Sequence, residues 1–252
     1  GVGATKNRNA GLITWKDGEF LDEEEFVMTG FTAKRVSLTK LAKDVQLTVL
    51  RMWVEGKSEQ KIVSFLNKKY NDVMNGQISL TDILQRSRYR EERFKVVCKT
   101  CNPHARFDKA WSNVKGVSVF DLMDNGGCLD DSGELMVHNN FVTMGGKRPT
   151  FGAGVEGVLF SYAQGYETID DTYLYLRIKD CTQTYRHPIT RTFVKPNYVS
   201  RLTADEFDEF TPDWSHYAES VVKKAEPIFR AMGWDVMQIK KDTKQSSLEE
   251  WF

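Results

Sequence analysis

The sequence predicts an α+β fold, and three observations carry that expectation. Two apolar runs flank an Asp17-Gly18 pair near the start of the chain, a short-range hairpin signal. From residue 37 the apolar spacing changes to the helical period. Short apolar or alternating segments then read as strands, before a last amphipathic stretch over residues 214–232.

The elements follow in order. Residues 10–15 and 25–29 form the two arms of the hairpin, and Gly30 ends the second. Leu38, Leu41, Ala42, Val45, Val49, Met52 and Trp53 lie on one helical face, with Ser37 as N-cap and Gly56 as stop. A second helix carries Ile62, Phe65, Leu66 and Tyr70 on one side and ends at Asn75-Gly76. A third, short helix is expected from about Ser79 into an arginine-rich segment. Residues 100–154 are rich in Gly and Asn and read as short strands and loops. Residues 155–162 read as an apolar strand and residues 173–178 as an alternating one. Thr211-Pro212-Asp213-Trp214 is a helix-start signal; Trp214, Tyr217, Val221, Ala225, Ile228 and Met232 line the helix, Pro227 is expected to kink it and Gly233 to end it. Residues 240–247 are polar and read as a mobile lead into the final residues.

Composition bounds the function. A chain of 252 residues with 40% hydrophobic and 28% charged residues has material for one or two packed domains. No apolar stretch approaches transmembrane length and no secretory signal is visible, so a cytoplasmic location is expected. The first residue is Gly, which suits a processed product or the downstream piece of something longer. The net charge of zero excludes a uniformly basic coat, but the charge is patterned. Residues 19–25 carry five acids. Arg86, Arg88, Arg90, Arg93, Lys95 and Lys99 outweigh Glu91 and Glu92. Arg177, Lys179, Arg186, Arg191, Lys195 and Arg201 stand against Asp180. Two basic zones on a neutral chain suit one face that meets a polyanion, or ordinary solvated loops.

Three constellations bear on chemistry. In the tail, Gln245 is followed by Leu248 and then by Trp251 and Phe252. That is the pattern of a sliding-clamp-binding peptide: one 3₁₀ turn brings Leu248, Trp251 and Phe252 to one side as an apolar plug, and Gln245 hydrogen-bonds beside the pocket. The alternative is a tail packed on its own domain. Cys98-Lys-Thr-Cys101 has metal-ligand spacing, with Cys128, His138, Cys181 or His187 as candidates to complete it. One such pair without a second reads more simply as thiols, and no metal is expected in this chain. Four cysteines are too few for a disulfide scaffold of this length. The adjacent acids Asp130-Asp131 and Asp170-Asp171 suit turns better than a shared metal, because neighbours on a strand point to opposite faces. No residue is assigned a catalytic role.

Several segments, in order, resemble one family. Thr5-Lys6-Asn7-Arg8-Asn9-Ala10 resembles the T-K-K-R-Y-A motif of archaeal-type family B DNA polymerases, with Asn7 in place of its second lysine and Asn9 in place of its tyrosine. Residues 28–31 through 41–46 resemble the family's approach to its first thumb helix, residues 155–160 its distal thumb strand, and residues 214–252 its last helix and clamp-binding tail. The resemblance covers the two ends of the chain well and residues 96–150 hardly at all.

What it implies is the end of a palm sheet plus a helical thumb with a distal α/β subdomain. Residues 1–35 are the end of the palm, 36–95 the helical base of the thumb, 96–239 the distal thumb with its last helix, and 240–252 the clamp-binding tail. The thumb holds primer–template duplex through phosphates, which position DNA without reading its sequence. Lys6, Arg8, Asn9, Arg35, Arg86, Arg88, Arg90 and Arg93 are the implied DNA contacts. The implied partners are primer–template DNA, a sliding clamp, and a catalytic polymerase chain with the exonuclease, the fingers and most of the palm. Mg2+ belongs with that partner's carboxylates and no cofactor is expected here, so this chain is not active alone. The rival is a clamp-tethered DNA-binding adaptor or repair accessory protein, and a third reading is a zinc-dependent nucleic-acid module on Cys98 and Cys101.

Overall fold

The computed structural model describes residues 2–5, 8–17, 19–30, 38–104, 111, 114–129, 132–137, 139–167 and 170–240. The fold is α+β. The chain divides into one unit made of Gly1–Leu84 with Asp213–Phe252 and a second made of Gln85–Pro212.

In the first unit, β1 (Val2–Thr5), β2 (Arg8–Lys16) and β3 (Glu19–Thr29) form an antiparallel sheet in that order. Lys16 pairs with Glu19, so the β2–β3 loop has two residues, and Asp17 adopts a left-handed φ of 52° that such a tight turn demands. The pleat puts Ala10, Leu12, Phe26 and Met28 on one face, as the pairs Ala10↔Met28 and Leu12↔Phe26. Among the described residues β3 pairs only with β2 and leaves its other edge open.

Two helices follow, α1 (Lys40–Val54) and α2 (Glu59–Met74). Thr39 caps α1, its hydroxyl accepting from the Ala42 N–H at 3.1 Å, so the cap lies two residues beyond the expected Ser37, which is outside the described residues. Leu41, Val45, Val49, Leu50 and Trp53 form the buried face of α1; Ile62, Leu66 and Val73 form that of α2. Gly56 and Gly76, with φ of 74° and 67°, follow the two helix ends where the sequence places them. The Arg51 guanidinium lies 5.7 Å from the Phe26 ring centroid, which joins α1 to the sheet face.

The long helix Trp214–Met232 packs on α1 and α2 through Tyr217, Val221, Ala225, Ile228 and Phe229. The resemblance groups it with residues 96–239, whereas its apolar stripe is buried in the first unit. The Asp213 carboxylate accepts from the His216 N–H at 3.2 Å and starts the helix. Pro227 lies inside the helix, where it removes one backbone donor. A 3₁₀ turn, Val236–Lys240, then returns to α2, where Gln238 bonds to Asn67 and Glu59.

In the second unit, β4 (Gln85–Arg88), β5 (Lys95–Cys98) and β6 (Val117–Ser118) precede a short helix, α3 (Val119–Asn125). Then come β7 (Cys128–Leu129), β8 (Leu135–Met136), β9 (Phe141–Thr143) and the helix α4 (Ala153–Ala163). The unit closes with β10 (Thr172–Arg177), β11 (Tyr185–Arg186), β12 (Phe193–Val194) and β13 (Tyr198–Arg201). The larger sheet runs β13-β10-β4 and carries α4; a smaller one runs β6-β5-β9; β7 and β8 pair as a hairpin.

Two expectations are corrected here. The segment at 155–162 is helix, not strand. Its continuous apolar run reflects a helix buried nearly all round, an ambiguity that periodicity alone does not resolve. Gly154 and Gly157 let α4 lie close on the sheet: a Cβ on Gly157 would sit 3.0 Å from the Val199 carbonyl carbon, and one on Gly154 2.9 Å from the Tyr173 hydroxyl. The expected helix from Ser79 is only a 3₁₀ turn, Leu80–Asp82, and the arginine-rich segment continues as β4. Pairing with β10, far along the chain, decides that strand, since Gln-Arg-Ser-Arg has no apolar period of its own.

Candidate nucleic-acid interface and thiol cluster

The first basic zone is presented by β4 and the turn after it. Alternation along β4 leaves Arg86 and Arg88 exposed on one face while Gln85 and Ser87 point to the other. Their cross-strand neighbours, Leu174 and Thr172, carry no charge. Arg90 precedes the 3₁₀ turn Glu91–Phe94, Arg93 lies within it, and both are exposed. None of these four arginines forms an ion pair among the described residues; Lys95, by contrast, holds Glu91 at 2.5 Å. The segment is anchored from below: Phe94 is buried and its ring lies 4.8 Å from that of Tyr89 and 5.4 Å from that of Phe120. Four guanidiniums therefore project from a fixed strand and turn, each able to grip a phosphate in bidentate fashion.

The second basic zone is built differently. Arg201 is buried between the rings of Tyr166 and Phe210, at 4.4 and 4.8 Å, and pairs with Glu209 at 2.9 Å. Arg177 lies 5.4 Å from the Tyr198 ring and donates to its hydroxyl at 3.1 Å. Arg186 lies 5.4 Å from the Phe193 ring. Charge counting alone gave the zones equal standing, but the structure commits Arg201 and Arg177 to internal contacts, while Arg186 stays exposed beside the exposed Phe193 ring. A cleft of about 730 Å³ borders Arg201, Tyr166, Gln164 and Glu209, and its cation already has its counter-ion.

At the start of the chain, Arg8 stands on β2 opposite Thr5, and Asn9 pairs across the strand with Thr29, whose hydroxyl donates to Asn9 Oδ1. Asn9 is exposed and its amide Nδ2 keeps its donor capacity. Lys6 and Arg35 lie outside the described residues, as do Gln245, Leu248, Trp251 and Phe252. Asp170 and Asp171 sit in a turn before β10, where the Asp170 carboxylate accepts from the Asp171 N–H at 2.7 Å. Asp130 and Asp131 are outside the described residues.

The cysteines form a cluster that the sequence only half anticipates. Cys98 ends β5 and Cys101 follows one turn later; Cys128 opens β7. Their three sulfurs lie within 4.8 Å of one another, with Cys101 Sγ 3.4 Å from Cys128 Sγ. The Cys101 N–H donates to Cys98 Sγ at 3.2 Å. The turn is pinned by Asn102 Nδ2 donating to the Cys98 carbonyl at 2.9 Å and by the Lys99 N–H donating to the Asn140 carbonyl at 2.8 Å. Gly126, with φ of 73°, ends α3, and Gly127 passes so close to β8 that a Cβ there would meet the Met136 carbonyl oxygen at 2.6 Å. Those two glycines deliver Cys128 to the cluster. Burial is the main cause that raises the Cys101 and Cys128 thiols above their ordinary range, although the Cys101 residue itself reaches solvent.

The other ligand candidates lie elsewhere. His187 Nδ1 accepts from the Ile189 and Thr190 N–H groups, both at 3.2 Å, and burial lowers its pKa. Cys181 is outside the cluster, and His138 is outside the described residues. Among the described residues no helix is long and apolar enough to cross a membrane. No protein-family model matches this chain, and no curated protein matches it either.

Proposed function

We propose that this chain is the palm-end and thumb portion, or small subunit, of an archaeal-type family B DNA polymerase, gripping primer–template duplex through phosphates and binding a sliding clamp by its tail. The observation that carries the reading is the order of the motifs: the motif at residues 5–10 has Thr5 at the end of β1 and Arg8 at the start of β2, two helices follow, and the last helix returns to them before the Gln245–Phe252 pattern.

The open edge of β3 supports it. A long edge strand with no second partner among the described residues invites further strands, and a palm would supply them. The four exposed arginines of residues 86–93 supply phosphate contacts of the sequence-independent kind a thumb needs. In this reading the palm carboxylates precede the motif at residues 5–10, on the same polypeptide or on a partner, and bind the Mg2+ that phosphoryl transfer requires. The adaptor alternative accounts for the tail and the arginines but gives the β3 edge no role.

Fluorescence anisotropy with labelled primer–template and with single strand of equal length tests the proposal. The expected result is weak duplex binding that falls steeply with salt, because part of the DNA cleft belongs to the palm. No duplex binding at low salt, or binding indifferent to salt, would refute it.

A further inference from the structure

We propose that Cys98, Cys101 and Cys128 bind one Zn2+ ion as three thiolates, in a site that staples the β5 turn to the β7–β8 hairpin. Thiolate–zinc bonds of ~2.3 Å in a tetrahedron set sulfur–sulfur separations of ~3.8 Å. The three sulfurs here lie within 4.8 Å of one another and the closest pair is 3.4 Å apart, so a small adjustment admits the ion. An iron–sulfur cubane seats each thiolate on a different iron and so spreads them farther apart than three sulfurs within 4.8 Å of one another.

The backbone is shaped for the same purpose. Cys98 and Cys101 bracket one turn, and the Cys101 N–H already points at Cys98 Sγ, a hydrogen bond that steadies a thiolate's charge. The third sulfur comes from a distant strand that reaches the turn because only glycine fits at position 127. The three cysteines line a cleft of about 650 Å³ together with Asn102, Lys115 and Asp121. The cleft gives the ion a path in and a water for its fourth position. On binding, each thiol gives up its proton to solvent, and the cation balances the thiolate charge.

The local fold needs such a staple. Strands β6 to β9 are two or three residues long. Val97, Trp111 and Val142 form a small buried apolar cluster against β5 and β9, with Val114 and Met144 packed on it. Strands so short hold little structure unaided, and small substructures are commonly secured by a metal. The site would be independent of DNA or clamp binding, so it stands or falls apart from the proposed function.

The test is metal analysis of the intact chain purified under reducing conditions and reconstituted with Zn2+ alone. Native mass spectrometry and elemental analysis are expected to give one zinc per chain, and Co2+ in its place a thiolate-to-cobalt charge-transfer band. Cys98→Ser, Cys101→Ser and Cys128→Ser should each lose the equivalent, whereas Cys181→Ser keeps it. Should the serine variants fail to fold, hydrogen exchange of the unaltered protein with and without a chelator decides: protection should fall over β5, β7, β8 and β9 and stay constant in α1 and α2. Absence of bound zinc after reconstitution, a Cys101–Cys128 disulfide in the reduced preparation, or exchange unchanged by the chelator would overturn the proposal.

Discussion

Replacing Arg86, Arg88, Arg90 and Arg93 together by Ala tests the phosphate grip most sharply. The four side chains are exposed and make no ion pair among the described residues, and β4 is held by backbone bonds to β10, so the fold should survive. Each phosphate contact adds about 0.9 to the slope of log affinity against log salt. If all four arginines touch phosphates, the slope flattens by ~3.6 and affinity at ~0.1 M salt drops roughly 4,000-fold. If only the strand pair Arg86 and Arg88 does so, the figures are ~1.8 and roughly 60-fold. Anisotropy titrations between about 50 and 200 mM salt measure both quantities on one labelled duplex. An unchanged slope would refute the assignment, and so would weaker binding with the slope intact, since that signature belongs to lost shape rather than lost charge.

Other expectations follow from single residues. Trp251→Ala with Phe252→Ala should abolish binding to a sliding clamp and leave duplex binding intact; surface plasmon resonance on immobilised clamp reads this directly. Gly157→Ala should destabilise the protein by about 1–2 kcal/mol in urea unfolding: the new Cβ meets Val199 backbone, and the strain outweighs the ~1 kcal/mol helix-propensity gain. A stabilised variant would contradict the close packing of α4. Burial lowers the His187 pKa, so the unfolded chain takes up the proton first as pH falls. Stability should therefore be full above the unfolded value of ~6.5 and decline below it. His187→Asn, which keeps an acceptor for the two backbone N–H groups, should flatten that decline.

The legible parts of the sequence are those fixed by local chemistry. Asp17-Gly18 marks a two-residue turn whatever else the chain does, and Gly56, Gly76 and Gly233 stop helices because each takes a left-handed φ. The spacing of Val45, Val49 and Trp53 requires one buried face. What escaped depends on distant partners. The run Val155, Val158, Leu159, Phe160 looks alike as a buried strand or a buried helix; its glycines at 154 and 157, spaced to share one helical face against β10 and β13, were the available signal. Gln85–Arg88 is a strand only because β10 pairs with it. Cys128 lies 27 residues from Cys101, and the contact between them was unreadable until α3 and Gly126-Gly127 set its position. The two basic zones looked equivalent as charge, and it is the rings of Tyr166, Phe210 and Tyr198, with the Glu209 carboxylate, that tie down Arg201 and Arg177.

Native mass spectrometry of the protein isolated from its source, followed by primer extension with the same fraction, tests the central claim most directly. The account predicts that these residues are recovered either within a larger polypeptide or in a one-to-one complex with one, and that the fraction extends a primer. Recovery as a free monomer, in fractions without polymerase activity, would contradict it.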